Sequence, residues 1–306
     1  PSYGDTTLDN IQFTPRINNT FIINNYNIES VLGIDLQRSK YHSFRKEEQN
    51  SLPLHEYTSD LESQAFYYQN NVNVTPTLTL GTGLRIQRNL IKISDNVNPN
   101  APNFKSWTVH HKNFSDTETN YSYSVGLEKI INSKLNVFSR YGTGFRFPNI
   151  DDRIGGSGGV SFELDTQKSD EIEAGINFNE KFYSISANTY LIESRNELGY
   201  DSDSFVNINI NSTRRYGVEL ENIIEINQNL VSKNNFTYSK AKFTSDEQGS
   251  YATNFKDKDV PLVPQYSYSG MIEYSLNSNL KIIPSIEYRD DMRMESDDEN
   301  FQNTKI

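Results

Sequence analysis

Apolar and polar residues alternate along about twelve segments of this 306-residue chain, which is the pattern of β-strands with two unlike faces. Many segments exceed the ~5–6 residues usual in soluble sheets and reach the ~9–11 residues that a tilted strand needs to cross a bilayer. The segments lie near residues 8–16, 27–39, 60–71, 77–90, 118–129, 134–146, 168–178, 182–194, 213–225, 229–243, 263–276 and 279–292. This length and alternation predict an all-β fold whose strands can span a membrane.

The connections between these segments differ in length. Short ones, rich in the Asn and Ser that favour turns, fall at 69–77, 129–134, 177–181, 226–229 and 277–279. Long ones fall at 40–60, 91–117, 147–167, 195–212 and 244–262. Two stretches fit this scheme poorly, since 18–27 is long for a turn and 205–210 has the pattern of a short strand inside a loop. Short turns at one end and long loops at the other predict a transmembrane antiparallel up-and-down β-barrel of the outer membrane, with the long loops outside the cell.

The two faces of the predicted strands differ in polarity. One face carries apolar side chains, for example Val125, Ile176, Val218 and Ile272. The opposite face carries small, polar and acidic residues, among them Ser122, Ser124, Glu171, Glu173, Glu219, Glu221, Glu273 and Glu287. Tyrosines concentrate at the strand ends near the long loops, at Tyr121, Tyr123, Tyr141, Tyr190, Tyr216, Tyr238, Tyr266, Tyr268 and Tyr288. We interpret these tyrosines as a girdle at the membrane interface, where an apolar ring and a polar hydroxyl are both accommodated.

Composition excludes several classes of protein. The chain is 35% hydrophobic and has no apolar run near the ~18 residues of a spanning helix, which excludes a helical membrane protein. It contains no cysteine, so disulfides and thiol chemistry are excluded. A net charge of -11 argues against a nucleic-acid partner, because phosphates attract basic surfaces.

Candidate chemical sites are weak. His110 and His111 lie beside Trp107 in one long loop and suggest a metal or haem site. The other histidines, His42 and His55, fall in another loop, which argues against convergence on one ligand. The acidic run 290–299 has calcium ligands without an ordered calcium-loop motif, which favours a solvated charge run. The glycines of 155–159 lack a phosphate-binding pattern, and no nucleophile motif is present. The sequence therefore predicts neither an enzyme nor a bound cofactor.

Four short motifs resemble those of the TonB-dependent outer-membrane receptors, in the order found in that family. Residues 144–149 (Gly-Phe-Arg-Phe-Pro-Asn) resemble its Gly-Phe-Arg-x-Pro-Asn segment, and 169–175 resemble its Glu-x-Gly strand, although Asp-Thr-Gln at 165–167 stands where Lys-Pro-Glu is usual. Residues 216–219 resemble its Gly-Val-Glu strand, and 260–264 the Ile-Pro-x-x-Pro start of a later strand. The structural motif residues are Phe145, Arg146, Pro148, Gly175, Tyr216, Gly217 and Glu219.

Physical roles follow for some of these residues. Pro148 has no N–H for a β-ladder and is expected to end strand pairing. Gly175 and Gly217 are expected to leave room on the inner face. Two roles are open for the inner-face carboxylates: pairing across strands with Arg140, Arg146 or Arg215, or lining a water-filled interior as solvated charges.

The resemblance implies that residues 1–306 form part of a plugged barrel of the 22-stranded kind. The plug domain and the C-terminal strands then lie outside this chain, and about twelve strands leave two open edges. The implied function is energy-coupled uptake of a scarce nutrient, most commonly a ferric siderophore, with cobalamin or haem as alternatives. The implied partners are the TonB complex, acting through the plug, and outer-membrane lipid. The long loops would contact the cargo, with Arg153, Tyr200 and Tyr251 as candidate ligand-binding residues.

Two other functions are compatible with the pattern alone. An ungated porin or structural barrel would share the strands but need no plug. A soluble, surface-attached β-sandwich adhesin would share the alternation but would remain monodisperse without detergent.

Overall fold

The structure, a computed structural model, describes residues 3–24, 26–102, 113–154, 160–201, 206–210, 212–245, 255–294, 297 and 300. The first half of the chain contains Tyr3–Phe13 (β1), Arg16–Ile23 (β2), Tyr26–Lys46 (β3), His55–Thr75 (β4), Leu78–Val97 (β5), Phe114–Ile130 (β6), Leu135–Arg146 (β7) and the helix Ile150–Arg153 (α1). The second half contains Gln167–Glu180 (β8), Tyr183–Arg195 (β9), Glu197–Asp201 (β10), Val206–Ile210 (β11), Thr213–Asn227 (β12), Leu230–Phe243 (β13), Tyr266–Asn277 (β14), Leu280–Ile282 (β15) and Ser285–Arg289 (β16).

Fourteen strands form one antiparallel sheet in the order β1-β3-β4-β5-β6-β7-β8-β9-β12-β13-β14-β15, with β2 beside β3 and β16 beside β14. The hairpin β10–β11 is a separate two-stranded sheet within a long loop. Neighbouring strands are joined in chain order, which confirms the up-and-down arrangement. In the described residues the two outermost strands pair on one side only, so the predicted open edges are confirmed.

Proline interrupts both edge strands. Pro15 separates β1 from β2, and its carbonyl accepts a 3.1 Å hydrogen bond from the Ile34 amide of β3. Pro284 separates β15 from β16, and its carbonyl accepts one of 3.0 Å from the Ile272 amide of β14. Because proline lacks an N–H, sheets tolerate it at an edge. Counting each interrupted strand once, the described residues form twelve strand positions in this sheet, which agrees with the predicted number of about twelve.

The predicted strand ends were wrong in several places. The stretch 18–27 is mostly strand β2, paired with β3, and not a turn. The predicted long loop 40–60 is mostly strand, because β3 and β4 stay paired up to Arg45 and His55. The loop 91–117 is shortened likewise, since β5 continues to Val97 and β6 begins at Phe114. In contrast, the short strand expected near 205–210 is confirmed as β11.

The register places the apolar residues of neighbouring strands side by side on one face. Ile176 stands between Val137 and Ala187, and Val218 stands between Thr189 and Tyr238. This face is open to its surroundings: Val125, Ile176, Val218 and Ile272 each expose 43–44% of their surface. We call it the outward face. A continuous exposed apolar surface of this kind suits contact with lipid chains.

Most of the predicted girdle tyrosines lie on the outward face near the long loops. Tyr238 is directly opposite Tyr266, and Tyr268 is directly opposite Tyr288. Tyr190 is an exception, because it lies opposite Gly217 on the inner face, one residue away from the outward Leu191.

Among the described residues, no helix has the length and hydropathy of a membrane span.

Two of the motif glycines accommodate aromatic rings on the inner face. A Cβ on Gly175 would lie 2.6 Å from the Phe138 ring, and one on Gly217 would lie 2.8 Å from the Tyr190 hydroxyl oxygen and 2.3 Å from the Tyr238 carbonyl oxygen. The Tyr190 hydroxyl extends beyond Gly217 and lies 3.0 Å from the Ser239 hydroxyl. The space predicted at these glycines is thus filled by neighbouring side chains.

Replacing Gly217 with Ala is expected to lower barrel stability by about 1–3 kcal/mol, because the new methyl group meets the Tyr238 backbone, which cannot rotate away. The matched control is Gly126→Ala on the same face, whose Cβ would lie at an ordinary 3.5 Å from the Ser139 carbonyl oxygen. Denaturant unfolding of the intact receptor in lipid would measure the free energy of unfolding of both variants. Equal stability of the two variants would contradict the close approach at Gly217.

Candidate functional site

The motif at 144–149 forms the end of strand β7 and the start of the long loop that follows it. Pairing ends at Arg146, two residues before Pro148. The Arg146 guanidinium donates to both carboxylate oxygens of Asp152 at 2.9 Å, and the Asn149 side chain accepts a 2.9 Å hydrogen bond from the Asp152 amide. The Asp152 carboxylate in turn accepts a 2.8 Å bond from the Asn149 amide, which completes a capping box on α1. The motif therefore fixes the direction in which this loop leaves the sheet.

The loop between β7 and β8 folds over the inner face of the sheet. Its apolar residues Ile150, Ile154, Val160 and Phe162 pack against one hydrophobic cluster of the sheet. The sheet side of that cluster comprises Tyr41, Tyr57, Leu61, Ile91, Ile93 and Phe114. Burial here raises the pKa of the Tyr57 hydroxyl above its usual range. The loop thus covers part of the interior at the long-loop end.

Arg153 fastens this loop. The residue is 3% exposed, and its guanidinium donates to the carbonyl oxygens of Phe162 and, at 3.3 Å, of Leu164. The same group lies 5.2 Å from the centre of the Phe114 ring. Burial lowers the pKa of Arg153, while Asp116 and other carboxylates oppose this shift. Its predicted contact with a ligand stays a prediction, and in this conformation the side chain has a structural role.

The β10–β11 hairpin joins the same loop through two asparagine side chains. The Asn207 amide donates to the Asp152 carbonyl oxygen at 2.9 Å. The Asn209 amide donates to the Asp165 carbonyl oxygen at 2.9 Å, and its own oxygen accepts from the Asp165 amide at 2.7 Å. At the base of the hairpin, Glu197 forms a 2.5 Å ion pair with Arg215 of β12. These bonds hold two long loops together.

A third loop contacts the hairpin through apolar packing. Phe255 and Val260 of the β13–β14 connection are buried against Ala241 and Phe243, and Ile210 of β11 packs against this group. We call the described parts of 147–166, 196–212 and 244–265 the loop cluster. Because each part contacts the next, a movement in one is expected to reach the others.

The other two candidate ligand residues have different positions. Tyr200 lies on β10 with 44% of its surface exposed, where a ligand can reach its ring. Tyr251 lies outside the described residues. The structure thus places Arg153 and Tyr200 in one loop cluster. Among the described residues it shows no hydrogen bond or ring contact between the two.

The inner wall of the sheet is polar. Asp35, Tyr67, Arg85 and Arg140 line a depression of about 350 Å³. There the Arg85 guanidinium donates to Asp35 at 2.7 Å and lies 5.8 Å from the centre of the Tyr67 ring.

Arg140 lies directly opposite Glu173, as a pair across strands requires, whereas the other two predicted arginines have different partners. Arg146 pairs with Asp152 and Arg215 with Glu197, both in loops. Glu173 and Glu219 instead accept hydrogen bonds from Asn188 at 3.0 and 3.2 Å. Strand parity alone does not predict which residues of the long loops lie nearest these arginines.

The candidate metal sites gain no support in the described residues, where no group of three or more His, Cys, Asp or Glu side chains converges. His55 is buried and its Nδ1 lies 2.9 Å from Asp95, while His42 lies 2.8 Å from Glu56. Trp107, His110 and His111 lie outside the described residues. In the acidic run, Asp297 is buried and lies 3.4 Å from Arg293.

Comparison with known proteins identifies the family. A family model described as TonB dependent receptor-like, beta-barrel, matches residues 1–305. The chain belongs to this family. TonB-dependent receptor barrels are bacterial outer-membrane proteins, and their family consists of receptors and transporters rather than enzymes. No curated protein matches the chain.

Solved structures of this TonB-dependent receptor family share the fold. The ferric-catecholate import receptor Fiu from E. coli K12 is 13% identical, with a TM-score of 0.71 over 96% of this chain and 46% of that chain. The ferric yersiniabactin uptake receptor FyuA from Yersinia pestis is 14% identical, with a TM-score of 0.72 over 97% and 45%. The ferric citrate transporter FecA is 14% identical, with a TM-score of 0.75 over 95% and 43%. The chain therefore spans less than half the length of each.

Proposed function

We propose that this TonB-dependent receptor barrel belongs to a transporter that takes up a ferric siderophore across the outer membrane. The observation that carries the proposal is the loop cluster, which lies over the inner face at the end where the long loops gather. A ligand arriving from outside would meet these loops before it reached the interior. The solved relatives named for ferric-siderophore uptake support this cargo class.

We propose that a plug domain and further strands complete the barrel, and that the TonB complex acts on the plug to admit the cargo. The polar inner wall around Asp35, Arg85 and Arg140 would then face the plug or water. The lipid of the outer membrane would contact the outward apolar face.

In this proposal Tyr200 is the strongest candidate for cargo contact, since its ring is exposed on the loop cluster. Tyr251 and Arg153 are kept as candidates. An exposed aromatic ring offers a large, rigid contact surface to a siderophore at little entropic cost.

Replacing Tyr200 with Ala in the intact receptor is expected to raise the Kd for its ferric siderophore about tenfold, a typical loss for an aromatic anchor. The matched control is Tyr183→Ala, since Tyr183 is 41% exposed and lies at the opposite, short-turn end of the sheet. Fluorescence titration of the purified receptor with a panel of ferric siderophores would measure both variants. An unchanged Kd for the Tyr200 variant would remove Tyr200 from the site without rejecting the function.

The function itself is tested by growth of a deletion strain on single iron or cobalamin sources. Loss of growth on a ferric siderophore, restored by the intact gene, is the expected result. A growth defect confined to cobalamin or haem would assign that nutrient as the cargo and leave the proposed energy-coupled mechanism unchanged. Uptake that continues without TonB would favour an ungated porin instead, which family membership already disfavours.

A further inference from the structure

The loop cluster carries an excess of negative charge. Its described parts contain eight carboxylates and three cations, which leaves a net charge of -5. The cations are Arg153, Lys256 and Lys258, and the carboxylates are Asp151, Asp152, Glu163, Asp165, Glu197, Asp201, Asp257 and Asp259. A surface lined mainly by one sign of charge attracts ligands of the opposite sign and repels those of the same sign.

The arginines at the loop cluster are already bonded within the protein. Arg146 donates to both carboxylate oxygens of Asp152, and Arg215 pairs with Glu197 at 2.5 Å. Arg153 is buried, and its guanidinium donates to two carbonyl oxygens. Guanidinium groups are the side chains best suited to bidentate recognition of anionic oxygens. None of these three can receive an anionic ligand without giving up a bond inside the protein.

The lysines of the same region are accompanied by carboxylates. Lys242, at the edge of the loop cluster, donates to the Asp257 carbonyl oxygen at 2.6 Å and lies 3.7 Å from Asp259. Lys256 and Lys258 alternate with Asp257 and Asp259 along the chain. The sequence thus sets a carboxylate beside each of these ammonium groups.

Tyr200 lies on the face of the β10–β11 hairpin that meets the β7–β8 loop. It is directly opposite Asn207, so the two side chains share a face, and Asn209 lies two residues further along that face. Asn207 bonds to the Asp152 carbonyl oxygen, and Asn209 bonds to the backbone of Asp165. The exposed ring therefore lies beside the loop segments that carry these aspartates.

Three carboxylates of that loop are not neutralised. Asp151, Glu163 and Asp165 are exposed, and among the described residues no cation lies within ion-pair distance of them. An aromatic ring attracts a cation over its face, and neighbouring carboxylates add to this attraction. Tyr200 and these carboxylates together form a surface suited to a positively charged group.

We propose, on the basis of the siderophore uptake proposed above, that the loop cluster selects a ferric hydroxamate complex of net positive charge. A tris-catecholate complex of Fe³⁺ is trianionic, whereas a tris-hydroxamate complex is neutral and becomes a monocation when its chain ends in an ammonium group. The ammonium group binds beside Tyr200 and the exposed carboxylates, and the neutral iron centre needs no arginine. A tris-catecholate would be repelled by the carboxylates and would have to break a bond of Arg146, Arg153 or Arg215.

The test measures the Kd of the intact receptor for three ferric complexes, by fluorescence titration in detergent at low ionic strength. Ferric desferrioxamine B is a cationic hydroxamate complex, and its N-acetylated form is the matched neutral control with the same iron ligands. The cation is expected to bind about fivefold more tightly than the neutral form, a gain typical of an exposed ion pair. Ferric enterobactin, a trianionic tris-catecholate, is expected to bind at least about 100-fold more weakly than the cation.

A pair of variants locates the charge that makes this selection. The variant Asp151→Asn/Asp165→Asn removes two carboxylates beside the hairpin, and its preference for the cation over the neutral form is expected to fall to about twofold or less. The matched control, Glu29→Gln/Glu225→Gln, removes the same charge from exposed positions near the short turns of β3 and β12. It is expected to keep the full preference of the parent.

Measurable but equal binding of the cationic and neutral forms would overturn the proposal. Tighter binding of the tris-catecholate, or the same loss of preference in both variants, would do so as well. In each of these cases a ferric complex is still bound, so the uptake of ferric siderophores stands. No binding of any of the three complexes, with normal growth of the deletion strain on each, would reject that uptake and the charge selection together. The comparison of ligands uses the unmodified receptor and remains decisive if a variant does not fold.

Discussion

Replacing Arg153 with Gln is expected to release the β7–β8 loop from the inner face of the barrel. The guanidinium is buried, donates to two carbonyl oxygens and lies against the Phe114 ring. Hydrogen bonds to charged groups contribute about 1.5–3 kcal/mol each, and a neutral amide can replace only part of this. A local loss of about 2–4 kcal/mol is therefore expected.

Hydrogen exchange of the loop amides measures this opening. The Ser161 amide bonds to the Arg153 carbonyl oxygen at 2.8 Å, and the Ile154 amide to that of Ile150 at 2.9 Å. Both amides are expected to exchange roughly 30- to 1,000-fold faster in the variant, since opening free energy sets the protection of a local unit. Because Asn207 and Asn209 bond to the backbone of this loop, the β10–β11 amides are expected to exchange faster as well.

The control for this experiment is Arg146→Gln. Arg146 also bonds within the loop, to Asp152, but its side chain is 48% exposed. Exposed ion pairs contribute about 0–1 kcal/mol, so the exchange rates should change by less than about fivefold. If the loop amides exchanged as slowly in Arg153→Gln as in Arg146→Gln, Arg153 would have no role in holding the loop against the inner face.

The sequence was sufficient to predict the strands that cross the membrane, but not their ends. Within the bilayer the outward residues are apolar, as at Ile176 and Val218, and alternation is visible. Above it the outward residues of β3 and β4 include Lys40 and Asp60, so the backbone pairing continues without an apolar signal. Strand pairing needs only backbone groups, and a charged outward face hides it from a hydropathy pattern.

The loop cluster was the least predictable part. Asn207 and Asn209 meet backbone groups more than forty residues away, and nothing local to them indicates those partners. An arginine in a polar loop carries no signal of burial, so the sequence does not predict the structural role of Arg153. The apolar residues Ile150, Ile154 and Phe162 around it were the available signal, since a solvated loop has no reason to carry them.

Replacing Ile176 with Lys is expected to destabilise the barrel by about 2–4 kcal/mol, because a charge on the lipid face near mid-membrane costs this much. Ile176 is 43% exposed on the outward face and lies between Val137 and Ala187. The matched control is Ser186→Lys, at the neighbouring position on β9 but on the inner face, where the Ser186 hydroxyl donates to Asn177 at 2.8 Å.

Denaturant unfolding of the intact receptor in lipid vesicles measures the two variants side by side. A lysine at the half-buried Ser186 enters a polar interior and gives up the hydrogen bond to Asn177, which is expected to cost about 0.5–1.5 kcal/mol. Equal stability of the two variants would mean that both faces meet water. The outward face would then not contact lipid, and the proposed transport across the outer membrane would lose its physical basis.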